Sequence, residues 1–400
     1  MHPHIKKLYS IASKPVKKII GLMSGTSVDG LDIALCNIEG SGTETKITIE
    51  HFETLSYNDD FKKEIKSIFA KKEIDFEKLC LLNPWIALKH AAMINECLKK
   101  WDVDKDDIDL IASHGQTVYH APKSLHKKEK FGNATLQIGD GDHLAVATGI
   151  IAISDFRQKH IAAGGEGAPL AMYGDYLFFS KRGENRIMLN IGGIANLTFL
   201  SGDLDVSKVF SSDTGTGNTL MDAYIQKYFP GKQFDKNAEL ASTGKIHVGL
   251  LNELKADHFF NLPIPKTTGP ELFNLDYFEM AQRKSGATAI SPIDCLATLN
   301  RFSADTIVDV IKKYFQPDDS FVIYTSGGGM HNPLLIQNIS SQLPGIEIKT
   351  TSDLEINPDA KEAVLFAILA NECLCGDNST FKNIATGIAS ISMGKISFPD

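Results

Sequence analysis

Hydrophobic and polar positions follow two alternating periods along this chain. The first clear apolar run, Val16 to Ile20, is β-branched and broken by two lysines. Glycine, serine and threonine follow, and then a second apolar run from Ile33 to Ile38. This predicts strand, tight turn, strand, and Lys46 to Phe52 adds a third strand to make a meander. From Asp59 to Lys71 the period becomes helical, with Phe61, Ile65, Ile68 and Phe69 on one face. Asn83-Pro84 predicts the start of another helix, with proline at its first position, running to about Lys100. The acidic run Asp102 to Asp109 reads as a solvated turn. A strand over Leu110 to Ala112 then delivers Ser113, His114, Gly115, Gln116 and Thr117 at its carboxyl end, where open α/β sheets place ligands. A histidine merely satisfied at a strand end would look the same.

After a basic loop, Lys123 to Lys130, the pattern gives strand, turn, short helix and a buried strand over Ile150 to Ile153. Asp155, Phe156 and Arg157 fall just past its end. Gly164, Gly165, Gly167 and Pro169 follow within six residues, which suits a hinge or a wall where a ligand lies against backbone. Arg186 to Leu200 is again strand, glycine turn (Gly192, Gly193), strand. MLNIGGI echoes IIGLMSG about 170 residues earlier, which suggests two similar domains facing each other. Asp213 is expected to end the next strand. Gly215 and Gly217 would make the turn, and a helix would start near Asn218 with its N-terminal N–H groups free to meet an anion. An N-cap role for Asp213 is the bland alternative. Helical segments run through Phe315, with a surface loop at 263–270. A third buried strand then reaches Gly327, Gly328 and Gly329 and a helix. Pro358 to Cys373 is a helix carrying Glu362, and the tail is a short strand-rich return.

Composition bounds this picture. A length of 400 residues implies two domains. We expect an α/β chain with a basic arm at 1–17, mobile or surface-bound, and a first domain at 18–155 completed by 380–400. The second domain would be 156–379. A net charge of −8 gives no general attraction for nucleic acid, and no apolar run approaches a membrane span. Six scattered cysteines, of which only Cys373 and Cys375 are close, read as reduced thiols of a cytoplasmic protein without zinc.

The opening turn carries the first candidate chemistry: Gly25, Thr26, Ser27, Val28, Asp29, Gly30, Leu31 and Asp32. Successive backbone N–H groups and small hydroxyls suit a phosphate, and a carboxylate such as Asp29 beside it suits Mg²⁺. An ordinary hairpin turn would share this composition. Three strand–glycine turns point to a nucleotide site. There is no G-x-x-x-x-G-K-[ST], no G-x-G-x-x-G, no H-E-x-x-H and no G-x-S-x-G, so P-loop, dinucleotide-fold, zinc-peptidase and serine-hydrolase readings lack support.

GLMSGTSVDGLD, SHGQTVYH, DFRxxxxAAGGEGAPL, LNIGGIANLT, DTGTGNTLMDAY, TSGGGMHN and PDAKEA together resemble, in order and spacing, the anhydro-N-acetylmuramic acid kinase family, from about Lys18 to Gly394. The resemblance implies two ribonuclease-H-like domains of mixed sheet plus helices. The architecture would be that of actin-like ATPases and sugar kinases, with a central cleft closing over ATP. It implies phosphates at the opening hairpin and at Gly192 and Gly193, adenosine at Gly327 to Gly329, and Mg²⁺ as cofactor. It also implies Asp213 as catalytic base and His114, Thr117, Arg157 and Glu362 as amino-sugar contacts. The reaction implied is ATP-dependent conversion of 1,6-anhydro-N-acetylmuramic acid and water to N-acetylmuramic acid 6-phosphate, in cell-wall recycling. A homodimer is the assembly such kinases often adopt. Three positions depart from the family pattern: His160 stands where a second aspartate is common, Glu166 where glutamine is, and Thr216 where proline is. A His160–Glu166 pair would preserve local charge; otherwise the departures signal an altered sugar. The alternatives are a relative acting on another sugar or carboxylate acceptor, and a non-catalytic ATP-binding switch.

Overall fold

The computed structural model of the protein describes all residues except 168–169, 316–319, 355–358 and 378–391. Ala168 and Pro169 of the glycine loop, Pro358 of the PDAKEA helix and most of the strand-rich tail therefore lie outside the described residues. Two compact units divide the chain: Met1–Phe178 with Asp359–Asp400, and Phe179–Pro358.

In the first unit a helix, α1 (Pro3–Ala12), precedes the meander β1 (Val16–Ser24), β2 (Gly30–Glu39) and β3 (Lys46–Ser56). Helices α2 (Asp59–Lys66) and α3 (Phe76–Trp101) lead to β4 (Leu110–Ala121). Then come α4 (Lys123–His126), β5 (Ala134–Ile138), α5 (Gly141–Thr148), β6 (Ala152–Ser154), α6 (Phe156–Ala162) and α7 (Ala171–Phe179). The second unit opens with the meander β7 (Asn185–Ile191), β8 (Ile194–Leu200) and β9 (Phe210–Thr216). It continues through α8 (Thr219–Tyr228), α9 (Val248–Leu254), α10 (Leu275–Lys284), α11 (Pro292–Tyr314), β10 (Phe321–Ser326), α12 (Pro333–Ser340) and β11 (Glu347–Thr350). The chain then returns to the first unit with α13 (Lys361–Cys375) and β12 (Lys395–Ser397).

Each unit is built on one sheet with a shared plan. The first runs β12-β6-β4-β1-β2-β3, with β5 also on β4; the second runs β11-β10-β7-β8-β9. In both, an antiparallel meander has parallel strands beside its first member: β4 on β1 and β6 on β4, then β10 on β7 and β11 on β10. This is the ribonuclease-H-like strand order, present twice. The internal echo in the sequence is thus a repeated sheet.

Glycine shapes the first sheet by proximity. A Cβ on Gly21 would lie 1.9 Å from the Ala363 carbonyl oxygen, so only glycine lets α13 lie directly on β1. Ile20, Leu22, Leu31 and Ile33 are buried beneath α3 and α5, while Val364, Phe366 and Ile368 are buried on α13.

Several boundaries differ from expectation. Helix α3 begins at Phe76, capped by Asp75, and carries Pro84 inside it. The carbonyl that loses its donor there belongs to exposed Cys80. Strand β4 continues through His114 to Ala121 rather than ending at Ala112: Gly115, at φ +71°, separates parallel pairing with β6, up to Ser113, from antiparallel pairing with β5, from Gln116 on, while β1 stays paired as far as Gln116. Asp109 is not solvated: it is 5% exposed, takes Lys14 Nζ at 2.6 Å and accepts the Lys18 N–H at 3.0 Å. The basic arm is mostly α1, docked within its own unit, where the His4 ring stacks on Phe398 with centroids 5.1 Å apart. The units divide at 178/179 and 358/359 rather than at 155/156 and 379/380, because α6 and α13 pack on the first sheet.

Candidate functional site

The opening turn, between β1 and β2, presents Thr26, Ser27 and Asp29 to solvent. Gly25, Gly30 and Asp32 flank them. The left-handed position here is Val28, at φ +59°, and not a glycine. Val28 and Leu31 have buried side chains, so only their backbone faces the turn. Gly30 is required by a close approach, since its Cβ would meet the Leu55 carbonyl oxygen at 2.6 Å. Asp32 lies partly buried on β2 and accepts Thr54 Oγ1 at 2.6 Å; burial pushes its carboxyl up, and Asp359 adds to that. Behind the turn a buried polar chain fixes its shape. Ser24 Oγ donates to Gln116 Oε1 at 2.5 Å, and Gln116 Nε2 donates to the Gly25 carbonyl at 3.2 Å. Tyr57 donates to Ser24 Oγ at 2.8 Å and lies 2.9 Å from His90 Nε2. Burial holds His90 neutral, its pKa lowered to about 4.

His114, Thr117, Arg157 and Glu362 all belong to the first unit. Arg157 Nε donates to His114 Nε2 at 3.0 Å and its Nη1 donates to the Gly167 carbonyl at 2.6 Å. Burial lowers the His114 pKa to about 3, with Arg157 adding to the effect, so the ring is a neutral acceptor. Arg157 itself is lowered by burial to about 10 and remains a cation, helped by Glu362. Glu362 keeps solvent access although it is densely surrounded, as a group in a concavity is. Desolvation raises its pKa, against Lys361 and with Asp32. Phe366, one helical turn beyond Glu362 on α13, lies 4.8 Å from the His114 ring. Thr117 accepts from Gln137 Nε2 at 3.2 Å on β5.

His160 and Glu166 do not pair. His160 Nδ1 accepts the Gly167 N–H at 2.8 Å, and its buried Nε2 has no hydrogen-bond partner among the described residues.

In the second unit Asp213 lies inside β9, opposite Asn196, and not at its end. Its N-cap reading falls with that placement, since Asn218 caps α8. Nor are the N–H groups before α8 free: Gly217 and Thr219 donate to the Gly193 carbonyl and Asn218 to that of Gly192, at 2.9, 3.1 and 2.9 Å. The stretch 263–270 is not a surface loop throughout. It runs beside β9 with Lys266 buried. The Asp213 N–H donates to the Lys266 carbonyl at 2.9 Å, and the Thr268 N–H donates to Asp213 Oδ2 at 2.8 Å. Burial raises the Asp213 pKa to about 6, against the Thr268 hydrogen bond and with Glu271. A carboxylate with one oxygen clamped and a pKa near neutrality is poised to exchange a proton. Thr216 is buried on the same strand.

Gly327 adopts φ +79°, and a Cβ on Gly329 would meet Ile191 Cγ2 at 2.3 Å, so both glycines let the turn close on β7. A Cβ on Gly328 would make an ordinary contact with Asn218 Nδ2, at 3.8 Å. Helix α11 holds two of the three glycine turns of this unit, through Ser303 Oγ to the Gly217 carbonyl at 2.8 Å and through Asn300 Nδ2 to Asn332, just past Gly329, at 3.1 Å.

The model of the family described as anhydro-N-acetylmuramic acid kinase matches residues 17–399. The chain belongs to this family. A Pseudoalteromonas atlantica anhydro-N-acetylmuramic acid kinase is 58% identical over 401 residues, covering 100% of both chains. Its counterpart from Caldanaerobacter subterraneus subsp. tengcongensis is 39% identical, over 98% of this chain and 99% of the other. That from Francisella tularensis subsp. novicida is 35% identical, over 96% and 99%. Membership of the anhydro-N-acetylmuramic acid kinase family makes the protein a phosphotransferase with an alcohol group as acceptor. Among the described residues no helix is long and apolar enough to cross a membrane.

Asp29 is exposed and makes no side-chain hydrogen bond with another described residue, and no cluster of three metal-binding side chains occurs among them. One free carboxylate beside hydroxyls fits Mg²⁺, which usually takes one or two carboxylates together with substrate phosphates. Sequence reasoning missed the Gln116–Ser24–Tyr57–His90 chain and the clamp from Thr268. Polar residues in apolar surroundings were the available signal for the first; the second had none.

Proposed function

We propose that the protein uses ATP and water to convert 1,6-anhydro-N-acetylmuramic acid to N-acetylmuramic acid 6-phosphate. The observation that carries this reading is Asp213: a half-buried carboxylate, one oxygen held by the Thr268 N–H, with its pKa raised to about 6. Such a group can take a proton from water at neutral pH, as the base of an inverting glycosidase does. Water would add to the anomeric carbon as its proton passes to Asp213. The bond from that carbon to the bridging oxygen would break, and the oxygen would take the γ-phosphoryl group, leaving ADP. Arg157, His114, Thr117 and Glu362 would orient the sugar. Thr26, Ser27 and the backbone of the turn before β2 would meet phosphate, apart from the Val28 N–H, which donates to the Gly25 carbonyl at 3.2 Å, joined by Gly192 and Gly193. Gly327 to Gly329 would take the adenosine. Asp29 would hold Mg²⁺, which neutralises phosphate charge when bound. The reaction belongs to peptidoglycan recycling, and we place it in the cytoplasm with a homodimer as the working assembly.

The test is coupled ADP release with the anhydro-sugar, set against intact N-acetylmuramic acid, glucosamine and glucose. Turnover only with the anhydro-sugar is expected. Equal turnover with an intact hexose would move the assignment to another acceptor.

A further inference from the structure

His160 lies one helical turn from Arg157 on α6 and is 1% exposed, so it cannot touch a substrate. Its ring is nevertheless tied to the sugar-side residues through backbone. Nδ1 accepts the Gly167 N–H at 2.8 Å, the Gly167 carbonyl accepts Arg157 Nη1 at 2.6 Å, and Arg157 Nε donates to His114 Nε2 at 3.0 Å. The loop over the ring is built for this contact. A Cβ on Gly165 would lie 2.4 Å from His160 Cε1, so only glycine covers the imidazole face. Gly164 and Gly167 take φ of +98° and +81°, which favours glycine at both. Asn133 Nδ2 holds the Gly165 carbonyl at 3.0 Å from the other side, and Tyr173 meets the His160 ring edge-on at 5.7 Å. Gly167 thus carries a hydrogen bond on each side of its Cα, its N–H to His160 and its carbonyl, in the next peptide, to Arg157.

We propose that His160 is a positioning residue for the sugar site, anchoring the loop at the Gly167 N–H so that the Gly167 carbonyl, one peptide on, and His114 together aim the Arg157 guanidinium. The role belongs to the acceptor at Nδ1. It is neither that of a charge nor that of a surrogate carboxylate, because burial and the Arg157 charge hold the ring neutral, its pKa lowered to about 4. This inference rests on the sugar-side reading of Arg157 above.

Two amides separate the role from simple packing. His160→Asn places its Oδ1 where Nδ1 accepts. His160→Gln has the same polarity but carries its acceptor farther out, toward the Nε2 position. Steady-state kinetics would be measured with each substrate varied in turn, and thermal midpoints recorded alongside. We expect His160→Gln to raise KM for the anhydro-sugar about three- to tenfold, the worth of one hydrogen bond, with KM for ATP within twofold of wild type. His160→Asn should recover most of that loss. Sugar KM unchanged in His160→Gln, or Asn and Gln equally impaired, would overturn the proposal. So would a parallel rise in both KM values, or loss of folding in both variants, which would make the residue structural. Failure of the functional reading itself would look different: the wild-type enzyme would not turn over the anhydro-sugar at all.

Discussion

The two units share one strand order but hold their candidate groups by different means. In the first, the turn and the sugar-side residues are tied by buried side chains: Ser24 to Gln116 and Tyr57, and Arg157 to His114. In the second, backbone does most of the holding. Carbonyls of Gly192 and Gly193 take the N–H groups that open α8, and Asp213 is clamped by the amide of Thr268. A repeated sheet therefore does not imply repeated chemistry. The first unit should be sensitive to loss of side-chain polar atoms, and the second to addition of backbone-proximal bulk.

The largest effect should come from Asp213→Asn, which keeps shape but cannot accept a proton. Turnover should fall roughly 10²–10⁴-fold while nucleotide affinity is kept. With Asp213 inside β9, no cap is lost to confuse the result. Turnover assays with isothermal titration of ATP check it, and a stable variant of near-normal turnover would remove the base assignment. The pH dependence follows from the same group, whose pKa is raised from 3.8 to about 6. Because the base must be ionised, kcat/KM should fall about tenfold per pH unit below that value. Stability carries the opposite sign. A raised folded pKa favours the protonated native state, so the cost of the buried charge is absent at low pH and complete above about pH 6. Asp213→Asn should therefore be at least as stable as wild type at pH 7 by thermal melting, with that advantage gone near pH 4.

The contrast between units is sharpened by a pair of substitutions read by urea denaturation. Gly217→Ala places a Cβ 2.3 Å from the Gly192 carbonyl oxygen. It should cost about 1–3 kcal/mol through forced backbone shifts. Tyr57→Phe adds no bulk but strips a hydroxyl from buried Ser24 and His90, and should cost about 1–3 kcal/mol through unsatisfied polar atoms. Neutrality of either would break the side-chain versus backbone distinction for that unit. The smallest effect is expected for Lys14→Ala. The lysine is 46% exposed, so solvent screening limits its pair with Asp109 to at most about 1 kcal/mol.

Much of this molecule was legible from its sequence. The two meanders, the three glycine turns and the helical face of α2 follow from period and punctuation, which are local. What was not legible depends on distant chain. Pro84 reads as a helix start, yet Asp75 caps α3 eight residues before the expected Asn83 boundary, and tertiary burial of Leu82 and Ile86 carries the helix through. Asp213 reads as a strand end because two glycines follow closely, yet pairing with β8 continues to Thr216. The clamp on Asp213 comes from residues more than 50 positions away that look like ordinary loop. His160 and Glu166 suggested charge compensation, and only the position of the Gly167 amide shows what the ring does.

The return of α13 and β12 to the first sheet has a consequence for how the chain is made. Strand β6 waits for its β12 partner, and the surface of β1 around Gly21 waits for Ala363. Phe179–Pro358 is contiguous, so it can fold on the ribosome once it has emerged, whereas the unit begun first is completed last. At bacterial elongation rates the roughly 180 intervening residues take on the order of 10–40 s. During that interval the nascent first sheet has Ile19, Ile20 and Leu22 in place but lacks the helix that covers its far face. It is in this window, rather than after release, that the face of β1 around Gly21 stands uncovered.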